Sequence, residues 1–150
     1  MSRAHRPTGT RWWPLLGFSQ AVAHGCLVRV SATAAGETRG GGVAPGDPFA
    51  QTEQAIRNLK VALAALGAGL EHVVRTRVYV VDIVHWPSIA RAYGEAFTEL
   101  NPENRVVGAR RFRCPESLVE IEADALVLHD RHRGRGAGPR GEQLTLMTPT

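Results

Sequence analysis

Cysteine is scarce in this sequence, and its placement argues against two common kinds of site. The 150 residues contain only Cys26 and Cys114, which lie far apart with no CxxC pair and no histidine at metal-ligand spacing. A disulfide framework or a structural zinc site would need several closely spaced ligands or thiols. We therefore expect two reduced thiols that are not catalytic nucleophiles, and we predict no metal and no cofactor.

A long hydrophobic run is also missing. The most apolar early segment, residues 12–18, is short and is interrupted by Pro14 and Gly17. It falls far below membrane-spanning length and lacks the unbroken apolar stretch of a signal peptide. We expect a cytoplasmic protein with no membrane partner.

Positive charge is plentiful overall but has no excess in the middle of the chain. The formal charge is +4 and the pI is about 9.8. Seven of the 18 basic residues but only two of the 14 acidic residues lie in segments 1–12 and 129–150, which leaves the middle of the chain nearly neutral. A structured nucleic-acid surface needs clustered basic residues. We therefore predict no nucleic-acid partner for the folded core.

The length fits one domain, and composition suggests its limits. We predict a mobile N-terminal extension over residues 1–11, a single domain over 12–129, and a disordered Gly/Arg-rich tail over 130–150, because both ends offer little apolar surface to offset the ordering entropy. Between them the pattern indicates two strands, a long loop, a helix, a strand, a second helix and two final strands. Asp47 as N-cap and Gly67 as terminator bound the first helix, and the second begins at Trp86.

Two amphipathic helices need one face of a sheet to cover, which predicts the α+β class with a mixed sheet and both helices on one side. The opposite face of the sheet would then need a partner. In a chain of this size we expect that partner to be another copy of the same chain.

The final predicted strand carries acidic residues at alternate positions. Because side chains alternate between the two faces of a strand, Glu120, Glu122 and Asp124 share one face and the intervening apolar residues share the other. Three neighbouring carboxylates repel one another, so this acidic face is either well solvated or supplied with cationic partners.

The motifs around this strand resemble the reactive-intermediate deaminase (Rid, YjgF-like) family. The closing strand reads PESLVEIEA at 115–123, and the order of the remaining motifs is also similar: GFSQAV at 17–22, LVRVSATA at 27–34, QAIRNL at 54–59, ALGAGL at 65–70, VVRTRVYV at 73–80 and AYGEAF at 92–97. The resemblance implies the chorismate-mutase-like Rid fold and a homotrimer with a central barrel. It also implies clefts between subunits that take a small-molecule substrate.

In deaminating members of that family, a glutamate orients and deprotonates a water molecule and an arginine holds the substrate carboxylate. Glu120 matches the glutamate. Anchoring the alignment on Pro102 places Asn104 at the arginine position, whereas counting back fifteen residues from Glu120 favours Arg105. Adjacent strand residues face opposite ways, so only one of the two shares a face with Glu120. The proline anchor needs no gap, so it predicts Asn104 in the cleft and slow or absent activity on 2-iminobutanoate.

Other candidate substrate-binding positions depart from the resemblance. Phe18 stands where many deaminating members have a tyrosine, and Ala32 stands where a glycine is usual. Ser31 keeps its place. Arg91 lies near a position often held by asparagine, where it either supplies a substitute guanidinium or faces solvent.

Three functions follow as hypotheses. The first is hydrolytic deamination of short imine or enamine acids, with Glu120 activating water. The second is a divergent biosynthetic enzyme whose cleft accepts a larger, less acidic intermediate, which the loss of both an arginine and a tyrosine hydroxyl would favour. The third is a non-catalytic ligand-binding trimer, because a fold does not fix a function.

Overall fold

The structure is a computed structural model that describes residues 3–7, 16–37 and 44–128. Two helices lie among strands along these residues and pack on one face of a mostly antiparallel sheet, as in α+β domains. In chain order, the elements are β1 (Arg3–Arg6), β2 (Ala21–His24), β3 (Leu27–Thr33), α1 (Pro48–Ala64), β4 (Val73–Val80), α2 (Trp86–Phe97), β5 (Glu103–Gly108) and β6 (Val119–Leu126).

The strands form one mixed sheet in the order β1-β2-β3-β6-β4-β5. Neighbouring strands are antiparallel except β4 and β5, which are parallel and joined by α2. A parallel pair needs such a crossover because a tight turn cannot return the chain to the starting edge. The acidic strand β6 therefore lies between β3 and β4, near the middle of the sheet.

Local chemistry sets the ends of the helices. The Asp47 carboxylate accepts a hydrogen bond from the backbone N–H of Ala50 at 3.0 Å, which caps the first turn of α1. Gly67 follows α1 with a φ of 76°, a left-handed conformation that favours glycine. The predicted start of α2 at Trp86 is confirmed.

Both helices pack on one face of the sheet. The buried core joins apolar side chains of α1 and α2 to alternate residues of the central strands, including Val78 and Ile121, which are fully buried. Burial of this kind contributes about 25 cal/mol per Å² of apolar surface. The predicted α+β class, with two helices and a mixed sheet, is confirmed.

The opposite face of the sheet is charged, which corrects one argument made from the sequence. We expected an apolar face that another copy must cover. Instead β3, β4, β5 and β6 present arginines, carboxylates and one tyrosine there: Arg29, Arg75, Arg77, Tyr79, Glu103, Arg105, Glu120, Glu122 and Asp124. We call this set the polar face. The need to cover an exposed apolar face therefore gives no reason for oligomerisation.

The N-terminal boundary also differs from the prediction. Arg3–Arg6 form β1, which pairs with β2 along the sheet edge, although residues 1–11 were expected to be a mobile extension. Backbone hydrogen bonds build this edge strand with Ala4 as its single apolar residue, so the hydrophobic pattern did not reveal it. Residues 130–150, where a disordered tail was predicted, lie outside the described residues, as do 8–15.

Among the described residues, no helix is long and apolar enough to cross a membrane. The same part of the chain contains no cluster of three or more His, Cys, Asp or Glu side chains arranged to hold a metal ion. Cys26 and Cys114 are both exposed free thiols.

Candidate functional site

The three acidic side chains of β6 project from the polar face between two strands that carry arginines. β4 places Arg77 opposite Glu122 and Tyr79 opposite Glu120, and β3 places Arg29 opposite Asp124. Each of the three carboxyl side chains is half-buried. The sheet register thus brings cationic side chains to the acidic row from both sides.

Ion pairs neutralise much of this row. Arg29 Nε donates to Asp124 Oδ1 at 2.9 Å, and its Nη2 donates to Oδ2 at 3.2 Å. Arg75 lies 3.7 Å from the same carboxylate and 3.3 Å from Glu103 Oε2, while Arg77 donates to Glu122 Oε1. Of the two environments left open by the sequence, the structure therefore favours cationic partners over simple solvation.

Arg105 is the exception among the arginines of the polar face. Its Cα partner on β4 is Arg77, so two guanidinium-bearing residues stand directly opposite each other. Arg105 is exposed and makes no hydrogen bond or ion pair with another described residue. Like charges directly opposite on neighbouring strands are destabilising. An anionic ligand at Arg105 would relieve that repulsion, and a guanidinium fork suits a carboxylate.

Asn104 faces the other way, towards the helices. Its Oδ1 accepts a hydrogen bond at 3.1 Å from the hydroxyl of Thr76, which is fully buried on the helix side of β4 and lies 2.7 Å from the Tyr93 hydroxyl. The preference for Asn104 over Arg105 as the neighbour of Glu120 is therefore corrected. The register of β5 puts Arg105 on the face that carries Glu120 and Asn104 on the opposite face.

Glu120 and Arg105 are separated by β4 and by two residue positions along the strands. Two strand spacings and two residue rises place their Cα atoms about 12 Å apart. Tyr79 occupies the strand between them, in register with Glu120. A small ligand can therefore contact side chains from both ends of this diagonal.

Tyr79 and Arg77 were missed by the sequence analysis as site residues. Burial is the main cause that raises the pKa of the Tyr79 hydroxyl, followed by the negative charge of Glu122 and a hydrogen bond with it, while Arg77 opposes the shift. The Glu122 hydrogen bond is likewise the main cause that raises the pKa of Arg77. The alternation of Arg75, Arg77 and Tyr79 along β4 was the available signal for a shared face.

The remaining predicted residues lie in two places. Ser31 is exposed at the end of β3 and joins Arg77 and Glu122 in lining a shallow cleft of about 250 Å³. Ala32 is half-buried beside the register shift between Val30 and Thr33. Phe18 is 38% exposed in the segment before β2.

Arg91 lies away from the polar face. It is an exposed residue of α2 whose Cζ stands 4.3 Å from the centroid of the Phe49 ring, in the helical layer. A cation–π contact of this kind contributes about 0.5–1 kcal/mol at an exposed site. Of the two roles left open by the sequence, the structure favours the exposed helix arginine over the substitute guanidinium.

Comparisons with known proteins agree with one another. Residues 8–127 match the family model described as Endoribonuclease L-PSP. An uncharacterized protein of Streptomyces coelicolor, SCO2049, is 33% identical over 120 residues, which cover 79% of this chain and 87% of that protein. The crystal structure of Rv2704 from Mycobacterium tuberculosis, a member of the YjgF/YER057c/UK114 family, superposes with a TM-score of 0.74 at 39% identity, covering 84% of this chain and 100% of the other.

One similar protein has a named activity. The 2-iminobutanoate/2-iminopropanoate deaminase of Escherichia coli is 33% identical over 89 residues, which cover 57% of this chain and 68% of that enzyme.

Proposed function

The chain belongs to the Endoribonuclease L-PSP family, which is the Rid family indicated by its motifs, and from this premise we propose that it hydrolyses small 2-imino or enamine acids at the polar face. The observation that carries the proposal is the placement of Arg105 on the same face as Glu120. Glu120 supplies a carboxylate for proton transfer. Arg105 supplies a cation that has no counter-ion among the described residues.

The chemistry requires one water molecule and one proton carrier. Arg105 holds the substrate carboxylate, which presents the imine carbon towards Glu120. Glu120 takes a proton from water as the water oxygen bonds to that carbon, and the imine π electrons move to nitrogen. Glu120 passes that proton to the nitrogen, which gives a neutral carbinolamine, and then takes the proton of the new hydroxyl group as the carbonyl forms and the C–N bond breaks. Nitrogen then leaves as ammonia with the proton carried by Glu120, which gives a 2-oxo acid.

We propose that the active form is a homotrimer in which each cleft lies between two subunits. Family resemblance supports this assembly. The polar face sets one condition for it. A second copy can cover the charges of this face at little cost only where each charge keeps a partner. Ser31 and Phe18, at the β2–β3 side of the sheet, would then complete a cleft together with the neighbouring chain.

The main argument for the divergent biosynthetic function does not hold in this geometry. It rested on the absence of a cationic side chain from the cleft, and Arg105 supplies that side chain on the face of Glu120. A non-catalytic trimer stays an outcome of the experiment that follows.

The test measures 2-oxobutanoate formation from 2-iminobutanoate generated in situ by an amino-acid oxidase. We expect the wild-type chain to accelerate the reaction and Glu120→Gln to lower turnover about 10²–10⁴-fold, because the variant keeps the shape but removes the base. Arg105→Ala should raise KM, whereas Asn104→Ala, one residue away on the opposite face, should change KM little. Wild-type protein without activity, or loss of activity in Asn104→Ala but not in Arg105→Ala, would contradict the proposal.

A further inference from the structure

Tyr79 lies between the two members of the proposed catalytic pair. Its Cα partners are Glu120 on β6 and Val107 on β5, and it alternates with Arg77 along β4. Tyr79 therefore projects from the polar face, one strand from Glu120 and diagonal to Arg105. Its side chain is half-buried.

The direction of the tyrosine ring follows from its neighbours. Glu122 and Arg77 both influence the pKa of the hydroxyl, which indicates that it lies near these two residues, and they form the next row of the sheet together with Arg105. The ring of Tyr79 therefore starts in the row of Glu120 and extends towards the row that holds Arg105. Its hydroxyl thus lies in the space that a ligand spanning Glu120 and Arg105 would fill.

The hydroxyl remains a hydrogen-bond donor at neutral pH. A phenol has an ordinary pKa near 10, and burial, the leading cause, raises the pKa of Tyr79 further. Glu122 does not depend on this hydroxyl, because Arg77 also donates to its carboxylate. Tyr79 can therefore turn its proton to an incoming anion and leave Glu122 with a partner.

We propose that Tyr79 is a substrate-binding residue whose hydroxyl donates a hydrogen bond to the carboxylate of a bound 2-oxo or 2-imino acid, beside the guanidinium of Arg105. The proposal rests on the proposed function for the location of the site. Arg105 supplies charge, and the hydroxyl supplies a second donor from a rigid central strand, so that the two together fix the orientation of the carboxylate.

The chain offers a matched control, because its two tyrosines lie on opposite faces of the sheet. We would titrate 2-oxobutanoate into the full-length wild type, Tyr79→Phe, Tyr93→Phe and Arg105→Ala by calorimetry, with thermal melts to show that each variant is folded. A lost hydrogen bond to a charged group corresponds to roughly a 10- to 100-fold weaker Kd. We expect that loss for Tyr79→Phe and a change within about twofold for Tyr93→Phe.

The KM and kcat of turnover give a second measurement, because a purely structural role of Tyr79 would not change KM alone. If Tyr79 binds the carboxylate equally in ground and transition states, Tyr79→Phe raises KM for 2-iminobutanoate and leaves kcat unchanged. Binding that is lost in Arg105→Ala but unchanged in Tyr79→Phe would overturn the role of Tyr79 and leave the proposed function intact. No binding or turnover by the wild type would overturn both.

Discussion

Replacing Thr76 by valine tests how much the hydrogen-bonded chain beneath β5 stabilises the fold. Thr76 is fully buried, and its hydroxyl joins Tyr93 at 2.7 Å to Asn104 at 3.1 Å. Because Asn104 accepts from Thr76 through Oδ1, the Thr76 oxygen remains available to accept from Tyr93. Thr76→Val keeps the shape of the side chain but breaks both links.

The expected costs of the single variants are unequal. Thr76→Val deprives the half-buried Tyr93 hydroxyl of its acceptor, which costs about 1–2 kcal/mol, while exposed Asn104 can turn to water. Tyr93→Phe leaves Thr76 still donating to Asn104, so it should cost only about 0.5–1 kcal/mol. The double variant contains neither hydroxyl, so no hydroxyl is left without its partner. Its total cost should therefore be about 0.5–1 kcal/mol less than the sum of the two single costs.

Urea unfolding of the wild type, the two single variants and the double variant measures these costs. A shift of the urea midpoint with an unchanged slope m reports a change in the free energy of unfolding. For a chain of this length, each kcal/mol should also lower Tm by about 2–4 °C. Additive costs, or a larger cost for Tyr93→Phe than for Thr76→Val, would refute the chain of hydrogen bonds.

Further predictions concern ionisation, the termini, the helical layer and assembly. Burial raises the pKa of both Tyr79 and Tyr93, so phenolate absorbance should appear only above about pH 10, and stability should fall as the pH rises through that range because the unfolded chain ionises first. Deleting residues 1–7 removes β1 and should lower Tm by a few degrees, whereas deleting 132–150 should leave it within about one degree. Arg91→Ala should lower stability by no more than about 1 kcal/mol and leave imine hydrolysis unchanged. Light scattering at micromolar concentration should give the mass of three chains, and a monomer would contradict the proposed assembly.

Elements whose limits depend on local chemistry were predictable from the sequence. Asp47 caps α1 through a contact three residues away, and Gly67 follows the helix with positive φ. Such signals lie within one turn of the chain. β1 was missed because Arg3–Arg6 offer no apolar alternation, and the strand exists through backbone pairing to a segment far along the chain.

The arginine of the site could not be fixed from sequence for a related reason. Pro102 precedes β5, which begins at Glu103, so the proline does not determine which β5 residues share a face with Glu120. That depends on the pairing of Arg77 with Arg105 on one side and with Glu122 on the other. A one-residue shift in a strand reverses every side chain, and only tertiary pairing settles it.

The charges of the polar face give a physical reason for an anionic group in the proposed substrate. Arg29, Arg75 and Arg77 are held by Asp124, Glu103 and Glu122. Arg105 has no counter-ion among the described residues, and its Cα lies about 12 Å from that of Glu120 across β4. A ligand matched to both ends carries a negative group for Arg105 and, with Glu120 as the proposed base, a carbon that water can attack. A 2-imino acid has both within a few bonds, and a neutral imine lacks the anionic group that would give it the correct orientation.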